Sequence, residues 1–123
     1  LEPCAYSMTF NVTGRKLNAI LNQRSQDTLA ANNWNVVQYA ALLMMFAQAS
    51  GLEAGELVHV ISDMHIYDRH VPIIRELIQR ESFPAPKMRL NPEVKDFYAF
   101  TVEDFTVENY QHGSPIGRVP VAI

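Results

Sequence analysis

The chain has little of what most readily betrays a function. It holds one cysteine, Cys4, among 123 residues, so no intramolecular disulfide forms and a reducing compartment is the natural setting. His59, His65, His70 and His112 are scattered, and with a single cysteine they give no zinc spacing. No apolar run approaches the ~18–20 residues of a membrane span, and no signal-peptide pattern is visible; a cytoplasmic protein without a membrane partner is expected. Lys and Arg total 10 against 13 Asp and Glu, for a formal net charge of -3. No basic cluster stands ready to neutralise phosphates, so nucleic acid is not an expected partner. Repeats and low-complexity stretches are absent. The first residues, Leu1-Glu2-Pro3-Cys4, lack an initiating Met, which suits a processed or shortened chain.

What is present fits one ordinary folded domain. Hydrophobic residues make up 48%, enough for a single core at this length. Tyr6, Met8, Phe10 and Val12 alternate with Ser7, Thr9 and Asn11, the period of a half-buried strand. Thr13-Gly14-Arg15-Lys16 reads as a turn. A second strand over Leu17–Asn22 then delivers Gln23 and Arg24 at its end. Antiparallel pairing of the two would bring Arg24 close to Cys4. Asn18 and Asn22 share a face with Ile20 and Arg24, a mixture suited to a polar cleft or a wet subunit interface. Thr28 to Asn33 reads as a loop. Asn35 to Ala49 predicts a helix apolar nearly all round and therefore buried all round, capped by Asn32 or Asn33 and ended by Ser50-Gly51. Leu57–Ile61 predicts a buried strand. Pro72 opens an amphipathic helix reaching about Arg80. Lys87–Leu90 and Thr106–Tyr110 predict short strands, with a capped turn at Thr101–Asp104.

Five residues, Gln23-Arg24-Ser25-Gln26-Asp27, concentrate polar chemistry. Arg24 and Ser25 suit an anion: a rigid fork of donors and a hydroxyl. Asp27 cannot serve the same anion, since like charges repel, so it must face something that donates hydrogen bonds. The stretch is either a salt-bridged strand edge or the meeting point of two ligand parts. Cys4 is either a buried inert thiol or a nucleophile, and a nucleophile needs positive charge nearby, for which Arg24 is the candidate. Asp63, His65 and Tyr67, if extended, share one face and suit sugar hydroxyls or a hydrogen-bonded cluster. Asn35 offers both donor and acceptor, as a pyrimidine edge does, or caps the helix. His59 lies in an apolar run and reads as a satisfied core histidine; His70, at a helix start, reads as structural.

These pieces together resemble the thymidylate synthase family. The resemblance rests on Pro3-Cys4, Gln23-Arg24-Ser25-Gln26-Asp27, Asn35, Asp63-Met64-His65-Ile66-Tyr67 and the terminal Pro120-Val121-Ala122-Ile123. Arg80-Glu81, the Pro84/Pro86 segment with Lys87, and Glu103-Asp104-Phe105 add to it. It implies an α+β fold, a mixed β-sheet with packed helices, of which residues 1–123 are the C-terminal portion of a single domain. It implies reductive methylation of dUMP to dTMP, with 5,10-methylenetetrahydrofolate as donor of both the one-carbon unit and the hydride, and no metal. By position, Cys4 is the nucleophile that adds to C6 of the pyrimidine. Gln23, Arg24, Ser25, Asn35, His65 and Tyr67 are the dUMP-binding residues, while Asp27, Ala122 and Ile123 face the reduced folate. A homodimer is implied, the second subunit donating arginines to the phosphate.

The departures from the family pattern are Ala5 after the nucleophile, Ala31-Asn32-Asn33-Trp34 before Asn35, and Ser62 before the Asp-x-His-x-Tyr run. Asn35 favours uracil over the cytosine of the related deoxycytidylate hydroxymethylases, which carry Asp there. In the family the nucleophile lies mid-chain, so the resemblance covers the C-terminal half. The 123 residues alone are expected to lack turnover, acting at most as a nucleotide-binding or assembly half-domain, because the general-base Glu and part of the phosphate clamp lie in the other half.

Overall fold

The structure, a computed structural model, describes residues 2–121. Strands β1 (Ala5–Thr13), β2 (Lys16–Gln23) and β4 (Glu53–Ile61) form a mixed sheet in the order β1-β2-β4. β1 and β2 are the expected hairpin, turning at Gly14 with φ 61°. β2 and β4 run parallel, and the crossover between them carries helix α1 (Asn32–Ala49). Two short ladders complete the pairing: β3 (Gln26–Asp27) runs parallel to β5 (Met64–His65), and β6 (Lys87–Leu90) antiparallel to β7 (Phe105–Glu108). A 3-10 turn at Asp68–His70 leads into α2 (Val71–Leu77).

Period-two alternation decides the two faces of the sheet. Leu17, Ala19, Leu21 and Gln23 of β2 point to the helix side and are buried. Leu43 and Ala47 of α1 meet them, with Met8, Phe46, Leu52 and Leu57 packed around. Phe46 is held edge-on by Phe10 at 5.1 Å and stacked on Phe97 at 4.6 Å. The opposite face carries the expected mixture: Asn22 Nδ2 donates to Ser7 Oγ at 3.0 Å, while Ile20, Val58 and Val60 lie exposed. Asn18 enters the β2–β4 ladder where its register shifts, its Oδ1 accepting from Glu56 N at 3.0 Å. A β-carbon on Gly55 would stand 2.2 Å from that oxygen, so the close approach requires glycine.

Several expectations change. Helix α1 begins at Asn32, not Asn35, and neither Asn32 nor Asn33 caps it; Ala31 is the cap residue and no side chain bonds there. The helix is not buried on every side. Leu43 and Ala47 are its buried residues against the sheet, while Trp34 is 78% and Val37 53% exposed. Its outer face lines an apolar groove of about 550 Å³ with Pro86, Met88, Val107 and Tyr110. β4 starts four residues earlier than the apolar run and is half-exposed, because it is an edge strand with Val58 and Val60 on the open face. Helix α2 stops at Leu77 rather than near Arg80, the chain continuing through turns to Arg80. Strand β7 occupies Phe105–Glu108, one residue earlier than expected and short of Tyr110. The turn at Thr101–Asp104 forms as expected, Asp104 Oδ2 accepting from Thr101 N at 2.9 Å and Oγ1 at 3.0 Å.

Candidate active site

The hairpin places the start of β1 beside the end of β2, and the parallel ladder places the end of β4 on the other side of that same strand end. The polar residues therefore gather at one edge of the sheet. Arg24 N donates to Cys4 O at 2.8 Å. The Arg24 guanidinium folds back on the same segment, its Nε donating to Pro3 O at 3.2 Å and its Nη2 to Glu2 O at 2.6 Å. Arg24 thus fixes the backbone on which Cys4 sits, and its Nη1 group makes no hydrogen bond among the described residues. Cys4 is a free, half-buried thiol.

Behind this pair lies a buried amide network. The Gln23 side chain is 1% exposed. Its Nε2 donates to Ser25 O at 2.8 Å and to Asn35 Oδ1 at 3.3 Å, and lies against Gln26 Oε1. Its Oε1 accepts from His59 Nε2 at 2.9 Å. His59 is therefore the satisfied core histidine the sequence suggested, and burial pulls its pKa below 6.5. Asn35 is not a helix cap. It stands in the first turn of α1, tied to β2 through Gln23 and with its Nδ2 uncommitted among the described residues. Neither Gln26 nor His59 was a sequence-level candidate for the site. A histidine inside an apolar run was the one available signal.

The β3–β5 ladder sets Asp27 opposite His65. Asp27 Oδ1 accepts from Leu29 N at 3.0 Å and Ala30 N at 3.1 Å, which pins the carboxylate to the following turn. Its Oδ2 makes no hydrogen bond among the described residues. Strand β5 ends at His65, so Asp63, His65 and Tyr67 do not lie along one strand face as expected. They still form a row. Asp63 Oδ2 lies 3.5 Å from His65 Nδ1, and the His65 and Tyr67 rings meet edge-on at 5.1 Å. Tyr67 in turn packs edge-on against buried His70 at 5.7 Å. Ser25 is half-buried between Arg24 and the amide network. Ala122 and Ile123, expected to close over the folate, lie outside the described residues. No cluster of metal-ligating side chains occurs among the described residues, nor any helix long and apolar enough to cross a membrane.

The class these features define is an α+β protein that collects a thiol, a guanidinium, a half-buried amide and a carboxylate–imidazole–phenol row at one edge of a mixed sheet. The sequence profile of the family described as thymidylate synthase matches residues 1–123. "Thymidylate synthase 1" of Bacillus amyloliquefaciens is 43% identical over 122 residues, covering 98% of this chain and 53% of that protein. The thymidylate synthase of Bacillus mojavensis is 45% identical over 113 residues, covering 92% of this chain and 40% of that protein. Among solved structures, the thermostable thymidylate synthase A from Bacillus subtilis superposes with a TM-score of 0.91 at 43% identity, covering 94% of this chain and 42% of that one. The chain belongs to the thymidylate synthase family and has its α+β fold. It spans about half the length of the curated relatives it matches.

Proposed function

We propose that residues 1–123 are the nucleophile-bearing C-terminal portion of a thymidylate synthase domain that converts dUMP to dTMP. The observation that carries this reading is the pairing of Cys4 with Arg24 across the β1–β2 edge, with Ser25 adjoining. The Cys4 thiolate adds to C6 of the uracil ring, which makes C5 the nucleophilic carbon that accepts the one-carbon unit. Arg24 Nη1 and the Ser25 hydroxyl hold the nucleotide phosphate. Because Asn35 Oδ1 is engaged by Gln23, Nδ2 faces the base and donates to a uracil carbonyl. Cytosine presents an amino group there, so two donors would meet. His65 and Tyr67 hold the ribose hydroxyl.

The reduced folate fits Asp27 in particular. One carboxylate oxygen is fixed by two backbone N–H groups and the other is unengaged among the described residues, as a ring with N–H donors requires. 5,10-Methylenetetrahydrofolate, as co-substrate, supplies the methylene and the hydride. Ala122 and Ile123 close over it and exclude water. A homodimer through the open sheet face is part of the reading: Ile20 at 43%, Val58 at 48% and Val60 at 46% exposed form an apolar stripe amid paired Asn and Ser side chains, and the second subunit supplies phosphate-binding arginines. The same stripe, with exposed Trp34 and Val37, supports a second reading in which the 123 residues alone serve only as an assembly half-domain without turnover.

Titration with dUMP and dCMP tests the base reading. Asn35→Asp shifts preference from dUMP towards dCMP by at least about tenfold, since a donor facing the base becomes an acceptor. Unchanged preference would remove Asn35 from base recognition. dTMP formation by the isolated 123 residues would overturn the half-domain reading.

A further inference from the structure

The Gln23 amide faces more acceptors than it has protons for, and the chemistry above does not use the partner at its oxygen end. Gln23 Nε2 donates to Ser25 O at 2.8 Å and to Asn35 Oδ1 at 3.3 Å, and it lies against Gln26 Oε1. Its Oε1 meets His59 Nε2 at 2.9 Å. Gln23 and Gln26 are each 1% exposed, so bulk water replaces none of these bonds. Gln26 Nε2 has no hydrogen-bond partner among the described residues.

Three of the four partners are free to exchange roles. An amide swaps oxygen and nitrogen by rotation, and a neutral imidazole carries its proton on either nitrogen. Ser25 O is the fixed one. A backbone carbonyl only accepts, so the Gln23 nitrogen must face it and Oε1 must face His59. His59 therefore carries its N–H on Nε2. Burial pulls its pKa below 6.5, so above about pH 7 the ring is neutral and this N–H is its only one. A reversed Gln23 would set oxygen against oxygen at Ser25 and N–H against N–H at His59. The two residues thus lock the amide from opposite ends, one from the turn after β2 and the other from β4. Asn35 must then turn Oδ1 inward and Nδ2 outward. Ser25 O takes one of the two Gln23 protons, and Gln26 and Asn35 divide the other. The longer contact at Asn35 is what such sharing produces.

We infer that His59 is a positioning residue for nucleobase choice. By fixing the Gln23 amide it fixes which end of the Asn35 amide faces the base, and Gln26 weakens that hold by competing for the same N–H. The relay from His59 to Asn35 stands on the geometry alone; that its target is uracil rests on the function proposed above.

Long-range proton–nitrogen NMR of the labelled protein reads the relay without ligand. His59 is expected to be protonated on Nε2, and His59→Met to shift the side-chain amide resonances of both Gln23 and Asn35. A proton on Nδ1, or Asn35 resonances unmoved in His59→Met, would overturn the relay. Titration with dUMP and dCMP then reads base choice. Met fills the space of the imidazole and offers no donor, so His59→Met lowers the preference for dUMP at least about threefold, the equivalent of part of one hydrogen bond. His59→Gln places an amide N–H where Nε2 stood and restores the preference. Gln26→Met removes the competitor and raises it at least about twofold. A merely structural role weakens both nucleotides alike. An unchanged ratio in His59→Met would therefore overturn the inference, as would a His59→Gln no better than His59→Met, or a fall in Gln26→Met, with thermal unfolding confirming that each variant is folded. Asn35 resonances that move in His59→Met, in a protein that binds neither nucleotide or keeps its preference in Asn35→Asp, would sustain the relay and refute the uracil assignment.

Discussion

Replacing Gln23 by Leu, which is close to it in volume, strips the amide network without emptying its site. Ser25 O loses a donor at 2.8 Å, Asn35 Oδ1 one at 3.3 Å, and His59 Nε2 loses its acceptor at 2.9 Å, while Gln26 Oε1 loses the Gln23 amide that lies against it. Each orphaned polar group costs about 1–3 kcal/mol when fully buried. The first three are half-buried, so water recovers part of that, and the long Asn35 contact contributes least; Gln26, 1% exposed, is beyond water's reach. The net expectation is a loss of about 2–4 kcal/mol, or about 1–2 M in the urea midpoint for a domain of this size. Gln23→Glu destabilises at least as much, since it keeps an acceptor for His59 but sets a buried carboxylate against Ser25 O and Asn35 Oδ1. Urea unfolding followed by circular dichroism measures both. A Gln23→Leu midpoint within about 0.3 M of the unsubstituted chain would refute the view that this network holds the sheet edge together.

Gly55→Ala drives a β-carbon against Asn18 Oδ1 and Leu17 O, at 2.2 and 2.9 Å; displacing Asn18 breaks its bond to Glu56 N, and a thermal melt records a loss of about 2–3 kcal/mol. An unchanged melting temperature would mean the Asn18 insertion is dispensable. His59 gives a pH dependence whose sign follows from burial, which pulls its pKa below 6.5. As pH falls below that value the unfolded chain takes up a proton that the folded chain refuses, so stability declines between about pH 7 and 5 and is flat above, to the extent that His59 governs it. His59→Phe flattens that decline in urea titrations at several pH values, and an equal slope in the variant would assign it to other groups.

Much of the fold was legible because alternation is a strong signal. Leu17 to Asn22 names its own faces, and the hairpin follows from the turn at Gly14; Tyr6 to Val12 names its strand but not a half-buried face, since Tyr6, Phe10 and Val12 lie exposed and only Met8 packs against the core. The amide network was legible only in part. Gln23 and Asn35 are twelve positions apart and meet because α1 begins three residues earlier than its apolar pattern, which brings Asn35 into the first turn over β2. His59 joins them through the parallel register of β4, which no local pattern reveals. The exposure of α1 and β4 was misjudged for one reason: apolar composition measures what a segment is able to bury, and within this chain Val37, Val58 and Val60 have nothing to bury against. Asp27 and His65 came together by ladder pairing rather than by a shared strand face. The hydrogen bond from His70 Nε2 to Pro120 O spans fifty positions and has no sequence signature.

The central claim is that Cys4 is the nucleophile, held for nucleotide attack by Arg24. The most direct measurement is mass spectrometry of the protein after incubation with a fluorinated dUMP analogue and 5,10-methylenetetrahydrofolate. The account predicts a covalent adduct on the peptide containing Cys4, absent in Cys4→Ser and weakened in Arg24→Ala. Nucleotide bound in full while Cys4 stays unmodified would contradict it.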